Sequence, residues 1–313
     1  MRNKVYIHIG YPKCFSTTLQ RSFFEKHPEC DFFGVGIKDN VSYHDDKVEL
    51  IFESLLKYSN TYFYDRHKNE SKKHLSQLIN NSNKPVFSSE WLAMNTFQNE
   101  ISSALKYERI LDLFEGFQPS ILLVKRDVIS FIRSFYKESV RLGLPMFYDE
   151  YLIHLMRHAD RTFIYEVNFS KKIEELKKYF GNNITVLDFE KAKVQGVSNY
   201  LNQHVSNWMN ISNLELNLNN DNPSLTDSEV IALVNSNKSA PRGLGLSTMS
   251  PFEKHRNRSV YELFSMPDPE LYSDVVKKRN AIKKAAAVIS NDRLEYSKDL
   301  EAKILEFICS LNE

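Results

Sequence analysis

The chain has 313 residues, 42% of them hydrophobic, and a formal net charge of +1. Length and composition fit a globular protein with a sizeable core. The near-zero charge gives no general electrostatic reason to expect nucleic acid or an anionic membrane as partner, so any anion must be held at a local site.

Val5–Ile9 (VYIHI) reads as the first strand, an apolar run of the kind covered on both faces. Gly10 breaks it, and Thr17–Glu25 reads as a helix. Val48–Tyr58 (VELIFESLLKY) carries apolar residues at helical spacing. The Asn-rich segment 80–84 is a loop, and Pro85–Ser88 a short strand. Ile101–Phe114 is helical, Ile121–Val124 (ILLV) is a strand, and Val128–Leu142 follows it directly as a helix. Phe169–Phe180 is a helix stopped by Gly181, ahead of a strand at Ile184–Phe189. Beyond about residue 196 helix and loop dominate: a loop at 217–224, a helix at 224–236, a Gly-bearing loop at 240–247 and an amphipathic helix at Leu294–Leu311. Strands alternating with helices predict an α/β fold with a mostly parallel sheet. No linker sets the helical C-terminal part apart, so residues 1–313 read as a single domain.

Cys14, Cys30 and Cys309 are an odd set without paired spacing, unlike a disulfide framework or a zinc site, and point to a reducing compartment. MRNK leads straight into the first strand, too short for a signal peptide, and no run reaches transmembrane length. The expectation is a soluble, cytoplasmic protein.

The stretch VYIHIGYPKCFSTTLQRSFF places strand, Gly, loop and helix in succession. Such a junction aims backbone N–H groups and the positive end of a helix dipole at an anion. Ser16, Thr17 and Thr18 add hydroxyls there, and Lys13 adds a cation. The nucleotide-binding pattern GxxxxGK[ST] is absent, because Lys13 precedes the hydroxyls and Phe15 occupies a position where glycine would be expected. A surface turn with a capping Ser/Thr cluster explains these residues alone equally well. ILLVKRDVISFIRSFYKES (121–139) repeats strand, turn and helix, with Arg126 at the strand end and Ser134 eight residues on. An Arg fork grips phosphate bidentately, and a helical Ser can add a donor.

Tyr-Pro-Lys followed by the Ser/Thr cluster, together with the Arg126–Ser134 pair, resembles the sulfotransferase family. These enzymes draw a sulfuryl group from 3′-phosphoadenosine-5′-phosphosulfate (PAPS) and leave 3′-phosphoadenosine 5′-phosphate (PAP). The resemblance implies a P-loop-like three-layer fold with a central sheet flanked by helices. It also implies that Lys13 contacts the transferring group, that Cys14, Phe15, Ser16, Thr17 and Thr18 line the 5′-phosphate, and that Arg126 and Ser134 bind the 3′-phosphate. Segments 169–190 and 221–239 carry further likeness, the latter to bacterial carbohydrate-type members. Late loops of the family close over the 3′-phosphate, a role open to Lys238, Arg242, Gly243 and Gly245.

Sulfuryl transfer needs a base for the acceptor hydroxyl, cations for the growing charge, and in-line positioning. It needs no metal. Lys13 is the charge stabiliser. Glu90, in PVFSSEWLAMN (85–95), is the favoured base because it follows a strand and resembles the Glu of carbohydrate-type members; Trp91 could help keep water out. A dipole-satisfying or ion-paired carboxylate is the plainer reading of Glu90. His44 and His67 are rival bases, and His8 reads as a packed core residue. Tyr43, Tyr62, Tyr64, Arg66, Tyr148 and Tyr151 could meet an acceptor, with a carbohydrate or glycoconjugate favoured over a small alcohol or lipid-linked one. Two other classes stay open. A nucleotide-dependent kinase would need a Mg²⁺ carboxylate, for which Asp127 is the available residue, and a non-catalytic nucleotide-binding protein could share the fold.

Overall fold

The computed structural model describes residues 3–34, 45–90, 92–94, 101–141, 143–159, 162–214, 216, 224–239, 294 and 296–311. The chain divides into two compact units, Met1–Asp127 with Glu166–Asn219, and Val128–Tyr165 with Asn220–Glu313. The first unit holds the sheet. Its strands are β1 (Lys4–Ile9), β2 (Asp31–Phe33), β3 (Pro85–Ser89), β4 (Gln118–Lys125) and β5 (Ile184–Asp188). They lie in the order β2-β3-β1-β4-β5, and every neighbouring pair is parallel. The fold is α/β, a central parallel sheet flanked by helices.

Val5–Ile9 of β1 and Ile121–Val124 of β4 are buried throughout, which is why both read as nearly continuous apolar runs. From β1 the chain goes to β2 and β3 on one side and later to β4 and β5 on the other, so the strand order reverses beside β1. In open parallel sheets the crevice at the carboxyl ends beside such a reversal is where ligands sit. Gly10, Glu90 and Arg126 are the residues that directly follow β1, β3 and β4.

Several elements differ from the sequence reading. β2 and the 20-residue helix Thr61–Asn80 were not anticipated. That helix buries only Tyr64, Leu75 and Ile79, too few to print a stripe in the sequence. Its start is fixed by Asn60, whose side chain accepts from Phe63 N at 2.8 Å. The expected helix at 48–58 comes as a short turn, Asp46–Glu49, followed by a wide π-helical turn, Leu50–Leu55, in which Leu56 N reaches five residues back to Ile51 O at 2.9 Å. The helix after β1, Thr18–Phe24, is wide as well, with Glu25 N bonding Gln20 O at 3.0 Å. β5 stops at Asp188 because that side chain caps the helix Phe189–Gln195, accepting from Glu190 N and Lys191 N at 3.1 and 3.0 Å.

The second unit is built from helices Val128–Arg141, Tyr148–Arg157, Asp227–Ser239 and Lys298–Ser310. Arg133 grips the Glu301 carboxylate through Nε and Nη2, both at 2.7 Å, and Tyr148 donates its hydroxyl to the same carboxylate at 2.9 Å. Asn237 bonds the carbonyls of Val140 and Leu144 at 3.0 and 3.1 Å, tying its helix to the end of Val128–Arg141. None of the described helices is long and apolar enough to cross a membrane.

Candidate functional site

The loop after β1 is held from several directions. Gly10 N bonds Ser89 O at 3.0 Å, extending the β1–β3 ladder by one residue. A side chain at Gly10 would put its Cβ 2.9 Å from His8 Cε1 and 3.4 Å from Glu90 Cα, so close approach requires glycine there. Tyr11 is fully buried and donates its hydroxyl to Glu166 O at 2.6 Å, while Ser16 Oγ bonds Tyr11 O at 3.3 Å. Lys13 and Phe15 both have left-handed backbone, φ 65° and 58°. Left-handed residues set among right-handed ones turn successive N–H groups toward one side, forming an anion-binding concavity. The chain becomes helical at Ser16 and Thr17, where first-turn N–H groups lack intrahelical partners.

Arg126 meets this loop from the end of β4. Its Nη1 donates to Lys13 O at 2.6 Å, and its guanidinium lies 4.1 Å from the Phe189 ring centroid. Phe15 stacks on the other partner of that arrangement, its ring 4.2 Å from Phe189 at 26°. Lys193 Nζ also lies over Phe189, at 4.5 Å. Phe189 is therefore a platform shared by the strained loop residue and two cations. Burial pushes the Arg126 guanidinium down from its ordinary value, against the pull of nearby Cys14 and Glu190.

Glu90 is half-buried beside the same loop. Burial raises its pKa, with the Glu53 carboxylate pushing the same way; a hydrogen bond with Ser16 and the charges of Lys13 and Lys57 act in opposition. A carboxyl group so placed holds its proton more tightly than a surface one, which makes it a better base when ionised. Cys14 is fully buried, and burial pushes its thiol up to about 12, so it stays protonated at neutral pH.

Eight of the residues read as catalytic or donor-binding thus belong to the first unit: Lys13, Cys14, Phe15, Ser16, Thr17, Thr18, Glu90 and Arg126. Ser134 belongs to the helix Val128–Arg141 of the second unit. Arg242, Gly243 and Gly245 lie outside the described residues, as do Tyr43, His44 and Trp91. Lys238 pairs with Glu150 at 3.1 Å. His67 sits on the Thr61–Asn80 helix, its ring 4.3 Å from Phe63. His8 is buried as expected, bonded through Nδ1 to Ser88 Oγ at 2.8 Å. Among the aromatic residues offered for an acceptor, Tyr64, Tyr148 and Tyr151 are core side chains, exposed by only 6%, 1% and 4%. Tyr62 and Arg66 are exposed. Sequence reasoning missed Phe189, Glu53, Lys57 and Ser89. The sequence places Phe189 at the end of a strand, and only the structure moves it into the following helix; Glu53 and Lys57 lie in an amphipathic run that gives no signal.

No protein-family model matches the chain, and no curated protein matches it. Among solved structures it is similar to a sulfotransferase from Alicyclobacillus acidocaldarius, with 11% identity, a TM-score of 0.46 and coverage of 76% of this chain and 93% of that one. It is also similar to retinol dehydratase, solved in complex with androsterone and inactive cofactor PAP, with 11% identity, a TM-score of 0.30 and coverage of 94% of this chain and 82% of that one.

Proposed function

We propose that this chain is a PAPS-dependent sulfotransferase that moves a sulfuryl group to an acceptor hydroxyl. The observation that carries the reading is the convergence of the left-handed loop, Glu90 and Arg126 at the carboxyl ends of β1, β3 and β4, beside the reversal of strand order. The residues fit the donor's charge pattern. The N–H groups and hydroxyls of Cys14 to Thr18 suit a 5′-phosphosulfate, and Lys13 and Arg126 bring two cations to the same loop.

Lys13 neutralises charge on the leaving oxygen. Glu90 removes the acceptor's proton as its oxygen attacks sulfur, and the raised proton affinity suits that task. Cys14, kept protonated, supports the loop by packing. Ser134, Arg242 and Gly243 keep a donor-binding role as the resemblance implies it, and residues 1–313 serve as one sulfotransferase domain. A carbohydrate or glycoconjugate is the acceptor class this reading favours, because Glu90 directly follows β3, as in the carbohydrate-type members it resembles.

Thermal unfolding with PAP, ATP, ADP and AMP, each with and without Mg²⁺, tests the donor. PAP without metal should raise the melting temperature; a ligand at about 100 times its Kd adds roughly 2.7 kcal/mol of stability. Stabilisation by ATP with Mg²⁺ and none by PAP would identify a phosphoryl transferase instead. Transfer of labelled sulfate from PAPS to a panel of sugars then separates an enzyme from a binding protein.

A further inference from the structure

Beside Glu90 the first unit keeps a charged pair in its interior. Lys57 is fully buried and its Nζ bonds the Glu53 carboxylate. Ser89, the last residue of β3, donates its hydroxyl to Glu53 Oε1 at 3.1 Å. Glu53 stands on the wide turn Leu50–Leu55, whose end is fixed: Leu55 O accepts from Arg109 Nη1 at 2.9 Å and from Ser59 Oγ at 2.6 Å. Ile101 N bonds Lys57 O at 2.8 Å. A buried ion pair rarely adds net stability over apolar packing, and wide turns of this type recur at functional sites. Both features call for a reason beyond folding, and Glu90 is next to Ser89 in the chain.

We propose that Glu53, clamped by Lys57 and Ser89, is a positioning residue for Glu90 in the proton-removal step, an inference that rests on the transfer reaction above. In that step the acceptor oxygen forms its bond to sulfur. The bond from sulfur to the donor phosphate breaks, its electron pair stays on the phosphate, and the acceptor's proton passes to Glu90. Glu53 touches neither substrate. It sets the field in which the Glu90 carboxylate sits and offsets the cations that would otherwise weaken it as a base. Among the described residues, the groups acting on Glu90 are Lys13, Glu53, Lys57 and the Ser16 hydroxyl, and Glu90 in turn pushes the Cys14 thiol up.

The test follows Glu90 itself in the full chain without ligand, by carboxyl ¹³C NMR, its signal assigned with Glu90→Gln. In Glu53→Gln the titration midpoint of Glu90 moves down, because a negative neighbour is gone while the charges of Lys13 and Lys57 remain. With PAPS and an acceptor, the acid limb of the kcat profile moves the same way and kcat falls by roughly 10- to 100-fold, while the PAP-induced rise in melting temperature is unchanged. Ser89→Ala keeps both charges and loosens the clamp; it gives a smaller shift in the same direction and serves if Glu53→Gln does not fold. An unmoved Glu90 midpoint in a folded variant overturns the positioning role. A wild-type chain that ignores PAP overturns the transfer reading, and with it the proton-removal role, while the NMR midpoint still reports whether the clamp acts on Glu90.

Discussion

Phe15 shows how a single residue can carry opposing demands. Left-handed backbone costs a side-chain-bearing residue roughly 1–2 kcal/mol, and a stacked aromatic pair returns about 0.5–1.5 kcal/mol. Phe15→Ala loses the Phe189 stack and keeps the strain; Phe15→Gly loses the stack and relieves the strain. The Gly variant should therefore be the more stable by about 1 kcal/mol in urea unfolding, and equal stabilities would show that the loop does not hold that conformation. Lys13→Ala should lower kcat by roughly 10²–10³-fold with an unchanged melting temperature, as expected for a group that acts on developing charge. Glu90→Gln should cost roughly 10²–10⁴-fold in turnover while PAP still binds. Its effect on stability has the opposite sign. A carboxyl with a raised folded-state pKa binds more protons folded than unfolded between its ordinary and raised values, so stability falls as pH rises through that window. Removing the ionisable group should raise the melting temperature at pH 7, the sign of a site kept for function at a cost in stability.

Elements were legible where burial wrote a pattern and illegible where other forces built them. β1 and β4 are covered on both faces and print as apolar runs. The helix Thr61–Asn80 prints nothing, because its support is polar: the Asn60 cap and the contacts of Lys72 with Asp112 and Glu115 at 2.6 and 3.0 Å. Exposed ion pairs contribute little, so the cap matters more, and Asn60→Ala should destabilise by about 1 kcal/mol in chemical denaturation. The two wide turns, Thr18–Phe24 and Leu50–Leu55, were readable as helix but not as wide, since the extra residue per turn leaves no mark in a short window.

At the scale of the molecule, pH tests how the first unit's interior is organised. His8 lies fully buried in the central strand with its pKa lowered to about 3 by burial, so it must be neutral in the native state. A depressed base binds more protons unfolded than folded. The stability it allows is complete above the ordinary value of 6.5 and is lost as pH falls toward 3. Within that window the loss approaches about 1.4 kcal/mol per pH unit. The acid-unfolding curve of His8→Gln should accordingly be flatter between these limits than that of the wild type; curves of equal slope would place the titration elsewhere.

The sequence alone placed Gly10 directly after an apolar strand, and Glu90 and Arg126 two residues beyond the strands read at Pro85–Ser88 and Ile121–Val124; the structure extends both strands so that these residues follow them directly. Parallel alternation of strand and helix was settled in the same way, because short-range periodicity reflects which faces are covered. Tertiary structure decided the rest. It set Phe189 under both Phe15 and Arg126 across separations of 174 and 63 residues, buried three of the tyrosines that looked available, and brought Glu53 from another helix to the side chain preceding Glu90. Those outcomes depend on desolvation and on charges meeting across long stretches of chain, and no local pattern encodes a partner so far away.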